Sequence, residues 1–294
     1  MRIMIIGSNG QLGSELARQL RSGKSELGDI PAAYQNAVTL CLDIDQLDIT
    51  DLTRTMVRVK SFSPAVIFNC AGYTNVGDCE THATEAFRVN AIGSRNLAMA
   101  AEQVGAKLIY VSTDYVFSGE RTTPYREYDM TNPLGVYGLT KLAGEEFAQQ
   151  FCSRWFVVRT AWLYGYNGKN FVKTMLKLAK ERSEITVVDD QFGNPTNAAD
   201  LAFHLLKIAL TEEYGIYHCT GNGVCSWYDF VSRIVALSGS CVKVKPCSTE
   251  QYASPVKRPA YSALEHMMLN ATVGDEMRSW QDALDAYMIR IQEG

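Results

Sequence analysis

Short apolar runs alternate along this chain with stretches of helical spacing. Residues 2–6 (Arg-Ile-Met-Ile-Ile), 37–42, 64–69, 107–111 and 155–159 are nearly unbroken apolar runs bounded by turn residues. Runs of that length predict strands buried on both faces, as in a parallel sheet. Between them the period changes. Residues 11–20 read as an amphipathic helix, and 85–104 as a longer one whose apolar face carries Phe87, Val89, Ala91, Leu97, Ala98 and Ala101. Asp51 is placed to cap a further helix, and the polar segment 22–36 reads as a loop. Strands alternating with helices of ten or more residues predict an α/β fold, a Rossmann-type doubly wound parallel sheet. Ligands of such sheets bind beyond the carboxyl ends of the strands.

The second half is less regular. Helices are predicted over 170–181 and 198–210, a loop over 189–196 and a strand-like stretch at 217–219. A helix capped by Ser226 follows, then a break at Lys257-Arg258-Pro259 and a terminal helix over 280–291. No repeat, low-complexity tract or linker interrupts the chain. The expected division is a dinucleotide-binding domain over 1–160, with later segments folding back onto it, and a smaller, interleaved substrate domain formed mainly by 161–294.

Composition narrows the setting. The 294 residues are 47% apolar and 20% charged, ordinary for a globular protein. A net charge of −4 argues against nucleic acid as a partner. No apolar run is long enough to span a bilayer, and the first strand, broken by Gly7, is too short for a signal peptide. A cytoplasmic protein is expected. Eight cysteines are present, the last four spaced C-x5-C-x15-C-x5-C. Structural zinc sites use tighter pairs, so reduced, mostly buried thiols and no metal are expected.

Candidate chemistry follows the strand ends. Gly7-Ser8-Asn9-Gly10-Gln11-Leu12-Gly13 joins the first strand to the first helix. Its glycines permit a tight turn and let backbone approach a pyrophosphate, which would rest on free N–H groups at the helix start. Asp43, ending the second strand, is placed to accept hydrogen bonds from an adenosine ribose. The first basic residue after it is Arg54, so no nearby cation marks a 2′-phosphate, which leans towards NAD(H). Asp48-Ile49 either flanks an adenine or forms a helix-entry turn. Ala71, Gly72 and Tyr73, after the third strand, are small or loop residues against which a cofactor could lie. Asn90 either packs polar groups behind the site or faces solvent. The fourth strand stops at Ser112-Thr113-Asp114, and Tyr137 and Lys141 then stand four apart at the start of a helix. That spacing stacks them on one face. An ammonium there is expected to lower the phenol from its usual pKa of about 10, fitting it to protonate an oxygen that is gaining negative charge. Of fifteen tyrosines, Tyr137 alone has a lysine four residues on.

Residues 3–13, 69–72, 112–117 and 137–141 together resemble the extended short-chain dehydrogenase/reductase family. Ser112-Thr113-Asp114-Tyr115-Val116-Phe117, Asn132-Pro133, Gly144-Glu145, Arg159-Thr160-Ala161-Trp162, Asn170-Phe171, Asp190-Gln191 with Gly193 and Pro195-Thr196, and Lys257-Arg258-Pro259 are similar to its nucleotide-sugar reductase branch. That resemblance runs over essentially the whole chain. It implies hydride transfer from NADPH or NADH to the 4-keto group of dTDP-4-dehydro-L-rhamnose, giving dTDP-L-rhamnose. It makes Thr113, Tyr137 and Lys141 catalytic, with Thr113 donating to the carbonyl oxygen and Lys141 also holding the nicotinamide ribose. It assigns the substrate to Thr74, Val76, Tyr115, Phe117, Trp162, Asn170 and Arg258, the last a fork-shaped cation for two phosphates. Gly77-Asp78 departs from the branch, which has aspartate and lysine there. Some relatives dimerise through carboxylates and Mg2+, and Glu15 matches one such position, so it either joins a Mg2+-bridged homodimer or is a surface glutamate of its helix. Other family activities compete. A dehydratase needs a glutamate where Tyr115 follows Asp114, and an epimerase would show no net oxidation of cofactor. A regulatory subunit of methionine adenosyltransferase would have no use for the Thr113, Tyr137 and Lys141 set.

Overall fold

The computed structural model describes residues 1–253 and 256–293. Its first half alternates as the pattern predicts: β1 (Arg2–Ile6), α1 (Gln11–Ser22), β2 (Val38–Leu42), α2 (Leu52–Phe62) and β3 (Val66–Asn69). Two short helices, α3 (Val76–Thr81) and α4 (Ala83–Phe87), lead into α5 (Gly93–Val104), β4 (Lys107–Thr113), α6 (Val136–Phe151) and β5 (Trp155–Thr160). Next come α7 (Phe171–Glu181), β6 (Glu184–Val188), α8 (Ala198–Ile208), β7 (Gly215–His218), α9 (Trp227–Ser238), β8 (Lys243–Cys247) and a terminal helix, α10 (Trp280–Glu293).

One six-stranded sheet runs in the order β7-β5-β4-β3-β1-β2, every pairing parallel. Strand alternation divides its core. Ile3 and Ile5 pack with Leu16 of α1 and Leu201 and Leu205 of α8 on one face. Met4 and Ile6 pack with Leu97 and Ala101 of α5 and Ala148 of α6 on the other. A strand buried on both sides has no room for a polar position, hence the unbroken apolar runs. The strand order reverses between β1 and β3, and the loops leaving these two strands open a crevice at their carboxyl ends. A second core gathers α7, β6, α9 and α10 around Phe230, Ile234 and Tyr287, and β6 pairs in parallel with β8. Thus α8 and β7, late in the sequence, build the first body, while their neighbours build the second.

Three predicted elements differ, one of them the loop over 189–196, where Phe192–Gly193 pairs with Cys225–Ser226 and Thr196–Asn197 with Leu163–Tyr164. Residues 22–36 are not plain loop: Lys24–Ser25 pairs with Gly28–Asp29, and a 3-10 turn covers Ala32–Tyr34. Tyr34 is buried there and donates to the Leu206 carbonyl at 2.7 Å. The helix predicted over 85–104 starts at Ala83 and passes through a π turn, Arg88–Ile92. The extra residue per turn rotates the faces, leaving Phe87 exposed and Asn90 fully buried.

Candidate active site

The first wall of the crevice is the turn between β1 and α1. Gly7 has φ +75°, and a Cβ there would stand 2.7 Å from the Ala71 nitrogen. A Cβ on Gly13 would meet the Gly7 carbonyl at 2.2 Å, so both positions need glycine for close approach. Gly10 caps α1 without a side chain, leaving the first N–H groups of the helix to whatever lies before them. Gln11, Leu12 and Gly13 line the crevice there, and the buried Gln11 Oε1 has no partner among the described residues. Those N–H donors fit a dinucleotide's pyrophosphate. Asp43 takes the Asn9 backbone N–H at 2.8 Å and that of Ile44 at 2.9 Å, so Asn9 closes the turn instead of lining the space. Gly7, Gly10, Asp43, Asp48, Ile49, Ala71, Gly72 and Tyr73 surround a cavity of about 430 Å³. Asp48 also accepts from the Thr50 N–H at 2.9 Å, so it faces the cavity and forms the helix-entry turn at once.

That cavity shares Gly10, Cys70, Ala71 and Gly72 with a second of about 520 Å³. The larger one gathers Thr113, Tyr137 and Lys141 with Thr74, Val76, Tyr115, Trp162 and Arg258, residues spread over more than half the sequence. Strand β4 delivers Thr113 at its last position, and Gly138 lets α6 approach: a Cβ there would meet the Tyr115 carbonyl at 2.2 Å. Tyr137 has the Thr113 hydroxyl as a neighbour and stands edge-on to Tyr115, centroids 5.5 Å apart. Behind them Asn90 accepts from the Tyr73 N–H at 2.7 Å and donates to the Thr140 hydroxyl at 3.0 Å. Of the two readings of Asn90, packing behind the site is the one observed.

One electrostatic expectation is corrected. Burial pushes the Tyr137 phenol well above its usual range, with the Thr113 hydroxyl pulling the other way and Asp114 adding to the rise. Lys141 is not among the largest of these influences. Its ammonium donates to the Val111 carbonyl at 2.6 Å and lies 4.1 Å from the centre of the Tyr110 ring. Burial brings Lys141 itself down to about 7, against an upward pull from Glu145. Desolvation is the largest influence on both groups, and only for Lys141 does a neighbouring charge oppose it.

Two assigned residues lie outside the crevice. Phe117 is fully buried in its own cluster, stacked on Tyr125 at 4.2 Å. Asn170 caps α7 by accepting from the Lys173 N–H, while its amide donates to the Gly165 carbonyl at 2.7 Å. Asp78, at the departure from the branch pattern, holds the Tyr73 hydroxyl. Glu15 is buried and accepts from Arg18 and Gln19 of its own helix, so it is not a surface glutamate. No metal-holding cluster of three ligands occurs among the described residues. The cysteines are unpaired and five are buried, whereas Cys41 and Cys241 are exposed.

The sequence reading missed Trp227, which lines the larger cavity at the first turn of α9 and stacks on Trp162 at 3.5 Å. The capping Ser226 before it was a visible signal of where that helix begins, and so of an aromatic at its mouth.

Fold and crevice define an extended short-chain dehydrogenase/reductase. Residues 1–293 match the RmlD substrate binding domain family, and the chain belongs to it. It is 37% identical to the spore coat polysaccharide biosynthesis protein SpsK of Bacillus subtilis, over 98% of this chain and 96% of that one. The structure of a dTDP-4-dehydrorhamnose reductase from Clostridium acetobutylicum superposes with a TM-score of 0.94 at 44% identity, covering 99% of this chain and 100% of the other. A dTDP-4-dehydrorhamnose reductase of Bacillus anthracis, in complex with NADP, gives 0.92 at 41%, covering 98% and 99%. The chain is an NAD(P)-dependent oxidoreductase of this reductase type.

Proposed function

We propose that the protein reduces the 4-keto group of dTDP-4-dehydro-L-rhamnose to the alcohol of dTDP-L-rhamnose, with Tyr137 as proton donor. The observation that carries the reading is the Thr113–Tyr137 hydroxyl pair at the end of β4, facing the crevice with Lys141 one helical turn away. The α1 N-terminus, Asp43 and the Ala71-Gly72 backbone would hold the dinucleotide, which supplies the hydride when bound. A phenol kept protonated by burial is a loaded acid at neutral pH, ready to give its proton to the oxygen that becomes an alkoxide. Thr113 donates a hydrogen bond to the same oxygen. Arg258, which lines the same crevice, would meet the two phosphates of the sugar nucleotide. Residues 1–160 then serve the cofactor and 161–294 most of the substrate, with α8 and β7 returning to the first body.

The test is to supply dTDP-4-dehydrorhamnose with NADPH or NADH and follow the nicotinamide absorbance against product. Tyr137→Phe should lower kcat by roughly 100-fold or more with cofactor affinity near wild type. A variant that turns over at the wild-type rate would remove Tyr137 as the acid.

A further inference from the structure

Asp114 plays no part in the steps above, yet it is buried against them, 1% exposed. Its Oδ1 receives the Thr113 hydroxyl at 3.0 Å, and its Oδ2 has no hydrogen-bond partner among the described residues. A threonine hydroxyl has one hydrogen and two lone pairs. The Tyr115 backbone N–H takes one lone pair at 3.2 Å. With Asp114 ionised, the hydrogen is committed to Oδ1 and Thr113 faces the crevice as an acceptor only. With Asp114 neutral, its proton belongs on Oδ1, the oxygen that has a partner, and is donated to Thr113. Both lone pairs are then filled and the Thr113 hydrogen is free to point at the reacting oxygen.

We propose that Asp114 is a positioning residue whose neutral carboxyl makes Thr113 a hydrogen-bond donor towards the substrate carbonyl, and whose ionised form withdraws that donor. The inference rests on the donor role of Thr113 proposed above. Burial supports it by pushing the Asp114 carboxyl up to about 6, against downward pulls from Ser262 and Thr113. The titratable and charged groups facing it are the Tyr137 phenol from α6, the adjacent Tyr115 phenol and, beyond Tyr115, the Arg258 guanidinium. Below that value Asp114 is neutral and the donor is in place. Above it the donor is lost, so the rate of the chemical step falls as pH rises through about 6.

The test is the single-turnover rate of NADPH oxidation from pH 5 to 8 for wild type, Thr113→Val, Thr113→Ser and Asp114→Asn, with NADPH affinity measured alongside. The asparagine amide can donate to Thr113 at every pH, so Asp114→Asn should keep the rate of the low-pH form and lose the decline. Thr113→Ser should keep both rate and decline. Thr113→Val should lower the rate on the order of 100-fold and abolish the decline, which tests the link even where Asp114→Asn fails to fold. A decline that persists in Asp114→Asn or in Thr113→Val overturns the role of Asp114 alone. A Thr113→Val enzyme with the wild-type rate removes the donor role itself, and both readings with it.

Discussion

Lys141 is 3% exposed, and its ammonium faces a backbone carbonyl, the Tyr110 ring and, one turn on, Glu145. In the unfolded chain it would titrate near its ordinary 10.5, and in the fold it does so at about 7. Between these values the unfolded state binds the extra proton, so this group makes stability rise with pH across that window, by up to about 1.4 kcal/mol per pH unit. Its penalty is fully present below pH 7. Urea unfolding of wild type and Lys141→Met at intervals from pH 7 to 10 should show wild type gaining on the variant with each step. Parallel stability curves would contradict the buried ammonium. The sequence placed Tyr137 and Lys141 on one face because helical spacing is a local property, and both do line the crevice. The direction of the tyrosine's shift was not legible. It depends on what the tertiary fold closes over the phenol, and spacing carries no information about that.

Among the elements, the strands and their turns were the most readable, since a strand buried on both faces must be apolar throughout and a close-packed turn must carry glycine. Caps were readable in part: Asp51 and Ser226 accept from the backbone of the helices they begin, as read, and so does Asn170, which was assigned to the substrate. Asn170 also shows how a motif can be misassigned, because helix capping gives a sufficient reason for an asparagine at that place. The π turn was hidden, as one inserted residue leaves composition unchanged. So was the pairing of Trp162 with Trp227, made between the end of β5 and the mouth of α9. Trp162 holds φ +47°, a left-handed backbone that a tryptophan rarely adopts, and its indole is clamped between Trp227 and Gly193. A Cβ on Gly193 would stand 2.6 Å from that indole. Gly193→Ala should therefore push Trp162 off its partner, lowering stability by about 1–3 kcal/mol. It should also raise KM for the sugar nucleotide with NADPH affinity unchanged. Tryptophan emission and steady-state kinetics check both parts, and an unaltered emission spectrum with unaltered KM would show that the stack does not shape the crevice.

At the scale of the whole molecule, the question is what makes two bodies one protein. Glu145 and Arg159 form a buried pair at 2.7 Å that ties α6 to the sheet, and Arg159 lies over Phe117 and beside His218 of β7. A second tie crosses the chain's full length. Arg278 donates to the fully buried Asp200 at the start of α8 and to Glu26 beyond α1 at 2.8 Å, and Glu26 also takes Arg290 of α10 at 2.9 Å. Partners up to 264 residues apart leave no periodic trace, so the interleaving of the halves could be anticipated only loosely. Because α8 packs on α1 while Arg278 leads into α10, loss of this cation loosens both bodies together. Arg278→Ala strands the Asp200 carboxylate in the interior, a change worth about 3–5 kcal/mol, or roughly 2–4 °C of Tm for each kcal/mol in a chain of this size. The melt should stay a single transition moved to lower temperature. Arg278→Met combined with Asp200→Leu should regain most of the loss, since an apolar pair of similar volume needs no counter-charge. Calorimetry of the three proteins decides it: an early second transition in Arg278→Ala would mean that the bodies unfold independently, and a Tm within a degree of wild type would mean that Asp200 does not depend on Arg278.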